Sequence, residues 1–163
     1  MATATISYGT STALTITLAS LATDTNLLAG RESTAIDNTS NTPVDVLVGG
    51  FVSTGTSPTA NKQIEVWVYG SYDGTTYSGG CTGSDAALTF ASEKTSLRLG
   101  AILPTDATSN HKYEFVINSV AQLFGGLMPK KWGIFVVHNT GVNLNSTAGN
   151  HEVKYTEVKY ASA

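Results

Sequence analysis

Charged side chains are scarce in this chain. Asp, Glu, Lys and Arg together make up 13% of its 163 residues, whereas about a quarter is usual in soluble domains. The net charge is −3, and the basic residues, among them Lys130-Lys131, Arg31 and Arg98, form no cluster. Proteins that bind the phosphates of nucleic acid need such a cluster, so the composition argues against a nucleic-acid partner.

Cysteine and long apolar runs are also scarce. Cys81 is the only cysteine, which excludes an intrachain disulfide and is typical of a free thiol in a reducing compartment. No apolar run approaches the roughly 20 residues of a membrane-spanning helix. Residues 1–8 lack the basic and apolar regions of a signal peptide. We therefore expect a protein made in a cytoplasm, without export and without a membrane partner.

What the chain does contain is a series of short alternating runs. Residues 63–69 alternate aliphatic side chains with Glu65, Trp67 and Tyr69, and successive strand side chains point to opposite faces. About eight or nine such runs, separated by Gly, Asn and Thr, predict an all-β fold: one domain over residues 1–163, an antiparallel two-sheet β-sandwich of jelly-roll type. Its core should contain Ile64, Val66, Val68, Tyr113, Phe115, Ile134 and Val136.

Two local signals add detail to this fold. Residues 118–124 are the one helical candidate, with Asn118 or Ser119 as a cap and Gly125-Gly126 at the end. Gly49-Gly50 interrupts an apolar run and predicts a bulge or a bend at this point of the strand. The prediction is therefore a sandwich with at most one short helix.

Residue patterns for catalysis and metal binding are weak. The chain has no Gly-x-Ser-x-Gly nucleophile elbow, and its acidic residues are scattered singly, which makes a paired-carboxylate glycosidase a weak alternative. His111, His138 and His151 are not spaced as metal ligands. His138 and His151 lie at strand ends that could converge, so a metal site is a minor alternative. We expect no catalytic residues, no cofactor and no metal.

The aromatic residues and one apolar segment are the strongest candidates for function. Trp67, Tyr69, Tyr72 and Tyr77 fall in one hairpin; they would either stack on sugar rings or fill an interface between sheets or subunits, and packing is favoured because no polar groove is evident. Residues 123–129 are apolar and rich in turns, and they must be covered by the chain or by a partner. The predicted interface residues are Trp67, Tyr69, Leu123, Phe124, Met128 and Trp132.

Three longer stretches carry a family resemblance. Residues 29–41, 55–69 and 119–133, the last reading Ser-Val-Ala-Gln-Leu-Phe-Gly-Gly-Leu-Met-Pro-Lys-Lys-Trp-Gly, resemble small structural proteins of tailed bacteriophages. The similarity extends from about Leu14 to Tyr155 and includes no defined site residues. It implies a virion component that is made in the host cytoplasm.

Within that family, the resemblance implies a capsid decoration (cement) protein. Such a protein would bind the major capsid protein and stabilise the assembled shell, as a homo-oligomer for which a trimer is one arrangement. The alternative is a carbohydrate- or receptor-binding appendage of the head or tail, with Trp67, Tyr69 and Tyr72 as the stacking platform. An enzyme that hydrolyses cell-surface glycans is the third alternative.

Overall fold

The structure is a computed structural model that describes residues 3–92 and 94–162. This part of the chain is mostly strand, with one helical turn, α1 (Val120–Leu123), and two 3-10 turns, Ser78–Gly80 and Ala148–Asn150. The strands are β1 (Ala4–Tyr8), β2 (Thr12–Ala13), β3 (Ala29–Glu32), β4 (Ile36–Asp37), β5 (Asp45–Ser53), β6 (Lys62–Ser71), β7 (Ala86–Thr89), β8 (Arg98–Thr105), β9 (Lys112–Ile117), β10 (Lys131–His138) and β11 (Glu152–Ser162).

These strands form two antiparallel sheets with jelly-roll connectivity. Sheet A has the order β1-β11-β5-β9, with β2 also on β11, and sheet B has the order β7-β3-β10-β6-β8, with β4 also on β10. Strands from the first half of the chain pair with strands from the second half, and the later a strand comes in the first half, the earlier its partner comes in the second. These pairs are β1 with β11, β3 with β10, β5 with β9 and β6 with β8. A long hairpin rolled up in this way is a jelly roll, to which β7 adds an edge strand. The predicted fold class is confirmed.

The main core lies between the two sheets, where the alternating runs place their aliphatic side chains. Of the predicted core residues, only Tyr113 is half-buried, because its hydroxyl extends to the exposed Asp106 carboxylate, to which it donates a hydrogen bond of 2.8 Å. The others are buried as predicted: Ile64, Val66, Val68, Phe115, Ile134 and Val136. Burial of these side chains is the main stabilising contribution of the sandwich.

A second apolar cluster covers the outer face of sheet B. Tyr69, Phe135 and Val137 on this face pack against side chains of the connecting segment 77–97, which include Phe90 and Leu97. The rings of Phe90 and Phe135 meet edge to face with centroids 5.0 Å apart. Sheet B is therefore covered by sheet A on one face and, over most of the other face, by its own connecting segments, while Leu99 and Ile102 of the edge strand β8 stay exposed.

The two local predictions have different outcomes. The helical turn is confirmed: the Ser119 Oγ accepts a hydrogen bond of 3.0 Å from the Gln122 N–H, which caps α1. Of the bulge or bend predicted at Gly49-Gly50, the bulge is wrong, because β5 runs through both glycines without a register shift. A side chain at Gly50 would collide with the Glu152 carbonyl, so this glycine permits the close approach of β11.

Candidate interaction surface

Trp67, predicted to anchor a partner, is instead engaged by its own chain. Its indole N–H donates a hydrogen bond of 2.7 Å to the Glu65 carboxylate. The Lys94 ammonium lies 5.1 Å from the ring centroid and 3.0 Å from the same carboxylate, and it donates to the Leu27 carbonyl. Lys94 and Glu65 are themselves buried. The cation over the ring and the partner of the N–H come from this chain, so these contacts favour the packing role of Trp67 over the alternative of a sugar platform.

Tyr69 and Trp132 were predicted at the surface, and this prediction is wrong. Both side chains are fully buried. The Tyr69 hydroxyl donates a hydrogen bond of 2.6 Å to the Ser33 carbonyl, and burial raises the pKa of that hydroxyl well above its usual value. The Trp132 indole N–H donates to the Asn38 side-chain oxygen at 3.2 Å. Each polar group has an internal partner, as buried Tyr and Trp require.

The segment 123–129 is partly covered. Leu123, Phe124 and Met128 are half-buried and pack against the main core, so these predicted interface residues contribute to folding as well as to the surface. Leu127, which the sequence did not single out, is the residue that projects, with 76% of its surface exposed. The aromatic ring of Tyr72 meets Phe124 edge to face, with centroids 6.2 Å apart.

An open groove of about 1110 Å³ lies beside this segment. Its walls come from the loop before β5, from the turn after α1 and from the end of β11. The groove is mainly apolar, since Val44, Leu127, Met128 and Tyr160 line it. One of its few charged groups, the Asp45 carboxylate, accepts the Ala121 N–H at 2.9 Å and is thereby already engaged.

The outer face of sheet A adjoins this groove and has no covering layer within residues 3–92 and 94–162. Its side chains are exposed or half-buried, apart from Ser53 at a strand end. We call this surface the open face; its apolar members are Ile6, Tyr8, Leu47, Phe51, Val116, Val158 and Tyr160. Exposed apolar surface of this extent is typical of sites that contact other molecules.

Charges on the open face are few, and some of them are engaged locally. Lys154 lies 2.9 Å from Glu152, and the Lys112 ammonium lies 4.3 Å from the centre of the Phe51 ring. Such exposed pairs contribute little to stability. Burying a paired charge against a partner costs less desolvation free energy than burying an isolated charge. The open face and the groove therefore form the best candidate for a functional surface in the described chain.

The histidines have structural surroundings. His138 is fully buried; its Nδ1 lies 2.9 Å from the Thr140 hydroxyl and its Nε2 lies 3.0 Å from the Leu21 carbonyl oxygen. His151 is half-buried, and its Nε2 lies 2.8 Å from the Asn145 carbonyl oxygen. Among the residues that the structure describes, no three His, Cys, Asp or Glu side chains are grouped so that they could hold a metal ion.

No family model, no curated protein and no solved structure matches this chain. In the described ranges, no helix has the length and apolar character needed to cross a membrane.

Proposed function

We propose that this chain is a bacteriophage capsid decoration protein that binds the assembled shell through the open face of sheet A. The observation that carries the proposal is the asymmetry of the sandwich. The chain covers most of the outer face of sheet B with its own segments, whereas the outer face of sheet A has no such layer among the described residues and leaves aromatic and aliphatic side chains exposed. A surface kept apolar in this way supports a role in contact with another protein.

The character of the surface supports a protein partner. Its exposed aromatics, Tyr8 and Tyr160, belong to the residue types that anchor protein interfaces. The partner in this proposal is the major capsid protein, as the family resemblance implies. The proposed role is structural: attachment adds contacts across shell subunits and involves no chemical step by this chain.

Attachment should depend little on salt. The open face carries few charges, and Lys154, Glu152 and Lys112 among them are engaged within the chain, so few ion pairs would form across the contact. Exposed ion pairs are screened by moderate salt, whereas burial of apolar surface is not. We therefore expect occupancy of the shell to change little between low and physiological ionic strength.

The test is co-sedimentation of the purified chain with shells that lack it. Val116→Asp places a charge on the open face, at a residue with 63% of its surface exposed, so folding should be retained. The matched control is Ile102→Asp, at an exposed β-branched residue of an edge strand in sheet B. We expect the first variant to bind more weakly by about 2 kcal/mol, roughly thirtyfold in Kd, and the control to bind as the original chain does.

Two results would contradict the proposal. If Ile102→Asp weakens binding and Val116→Asp does not, the wrong sheet has been assigned to the contact. If the unaltered chain does not bind shells but binds host glycans, it is an appendage that recognises carbohydrate rather than a decoration protein.

A further inference from the structure

Strand β1 and the end of β11 form a two-stranded ribbon that continues past the end of β5. The register between β5 and β11 ends at Val158, whereas β1 continues to pair with β11 as far as Ser162. We call the paired residues 4–8 and 158–162 the β1 ribbon. All five residues of β1 are exposed. A ribbon of only two strands is marginally stable in water, so a third strand would stabilise it.

The backbone of β1 shows which of its groups lack a partner strand. The Gly9 N–H donates to the Glu157 carbonyl at 2.8 Å. Because backbone groups in an antiparallel strand alternate in direction, Ser7 and Thr5 also face β11. The N–H and C=O groups of Ala4, Ile6 and Tyr8 then point away from it. No described strand lies on that side of β1.

The other sheet edges carry features that discourage pairing with a further strand. β9 contains Lys112 and Glu114, and β8 contains Arg98 and Pro104, which are common devices for protecting an edge. β7 has only four residues. By contrast, β1 has the sequence Ala-Thr-Ile-Ser-Tyr, with no charge and no proline, and its edge is unprotected.

We propose that β1 pairs with β1 of a second copy of this chain, antiparallel and about a two-fold axis at Ile6. In this register Ile6 lies opposite Ile6 of the partner subunit, and Ala4 lies opposite Tyr8 of the partner subunit. Each of these is a hydrogen-bonded pair, so all the outward N–H and C=O groups of Ala4, Ile6 and Tyr8 are paired. A second copy fits because the same edge on both sides is complementary to itself.

The side chains are compatible with this register. The large Tyr8 meets the small Ala4, and no charged residue lies opposite another, since β1 has none. The neighbouring charges in β11, Lys159 and Glu157, pair with each other at 2.7 Å. Their side chains point to the face opposite Tyr160, away from the apolar side of the β1 ribbon.

The pairing extends the proposed function but does not depend on it. Sheet A becomes continuous across the two copies, and both open faces lie on the same side of it. Five residues span only about 17 Å of edge. The area buried by so short an edge is smaller than the roughly 800 Å² per partner that a standard interface buries. The dimer should therefore form and dissociate with concentration.

The first test is sedimentation equilibrium of the full chain over a range of concentrations. Ile6→Pro removes an outward N–H without removing a β1–β11 hydrogen bond, and proline is tolerated on an edge strand. Ile6→Val keeps the N–H and a β-branched side chain. We expect a monomer–dimer equilibrium for the original chain and for Ile6→Val, and a monomer for Ile6→Pro with an unchanged thermal transition. A chain that is monomeric at all concentrations, a trimer, or equal association of both variants would overturn the proposal.

Disulfide cross-linking tests the register. The two Ile6 Cα atoms should lie about 5.5 Å apart, within the range of about 4.4–6.8 Å that a disulfide spans, so Ile6→Cys should form a covalent dimer on mild oxidation. Thr5→Cys is the matched control, because Thr5 lies opposite Ser7 of the partner subunit and not opposite itself. Equal cross-linking of the two variants would exclude this register.

Discussion

Acid should destabilise the fold through His138. Burial lowers the pKa of this imidazole from 6.5 to about 4, although hydrogen bonding to the Leu21 carbonyl partly opposes the shift. The native side chain is therefore neutral, whereas the unfolded chain binds a proton below about pH 6.5. Because the unfolded state binds more protons between these two values, the free energy of unfolding falls as the pH falls through that range.

The size of the effect follows from the same two pKa values. One additional proton in the unfolded state corresponds to a slope of about 1.4 kcal/mol per pH unit. Between about pH 7.5 and about pH 4.5 the loss integrates to about 2.5 kcal/mol. Stabilities of small domains are about 5–15 kcal/mol, so this loss is large enough to measure.

The assay is urea unfolding at several pH values, for the original chain and for His138→Gln. Glutamine can still donate to the Leu21 carbonyl but does not titrate, so the variant should be less stable at neutral pH and should lose less stability on acidification. His151, whose pKa is also lowered by burial, is present in both chains, so the difference between the two pH profiles reports mainly on His138. Parallel pH profiles for the two chains would refute the assignment of this acid sensitivity to His138.

Three further predictions concern buried groups. Burial raises the pKa of the Cys81 thiol to about 12, so a thiol reagent at about pH 8 should react slowly with the native chain and rapidly after unfolding; rapid native labelling would contradict its burial. Glu32 accepts hydrogen bonds from the Thr82 and Gly83 N–H groups, so Glu32→Ala should accelerate amide exchange at these two residues, and unchanged exchange would contradict this role. Trp132→Ala should lower the free energy of unfolding measured in urea by about 3–5 kcal/mol. A variant that loses binding to shells but keeps its stability would contradict the buried position of Trp132 and support its role as an interface residue.

Alternation along the chain was enough to predict the sandwich and most of its core. In β6, the period of two assigns Ile64, Val66 and Val68 to one face, and the structure places all three between the sheets. The signal is strong here because one face is uniformly aliphatic and buried. The cap of α1 was predictable for a similar local reason, since a serine side chain satisfies a free N–H at the start of a helix.

The covering of Trp67 and Tyr69 could not be predicted in the same way. Their positions in the alternating pattern of β6 place both on the face opposite Ile64, Val66 and Val68, and therefore away from the main core. The pattern does not show what lies against that face. The covering residues, such as Cys81 and Phe90, lie in short, irregular segments without a hydrophobic period. Trp132 shares the face of Ile134 and Val136 in β10, so the period of two would have placed it in the core with them. It was assigned to the interface together with the apolar segment 123–129 that precedes it.

The candidate surface was the least predictable part of the molecule. Alternation with the buried Phe115 and Ile117 places Val116 on the other face of its strand, but it does not show whether another segment of the chain covers that face. Ile6 and Tyr160 are more than 150 positions apart in the sequence, yet they are directly opposite each other in the sheet. No local pattern links them.

The pairing of β1 with β11 also determines when the sandwich can close during synthesis. β11 is the neighbour of β1, β2 and β5, and it follows all three of them in the chain. All strands of sheet B, and the segment that covers it, precede β11 in the chain. In sheet A, β5 and β9 can pair early, but the edge of β5 that pairs with β11 stays free until residues 152–162 have been made. Such long-range pairing is slow to form, and exposed strands on a growing chain favour aggregation. The eleven residues of β11 therefore end the period in which the nascent chain is most vulnerable.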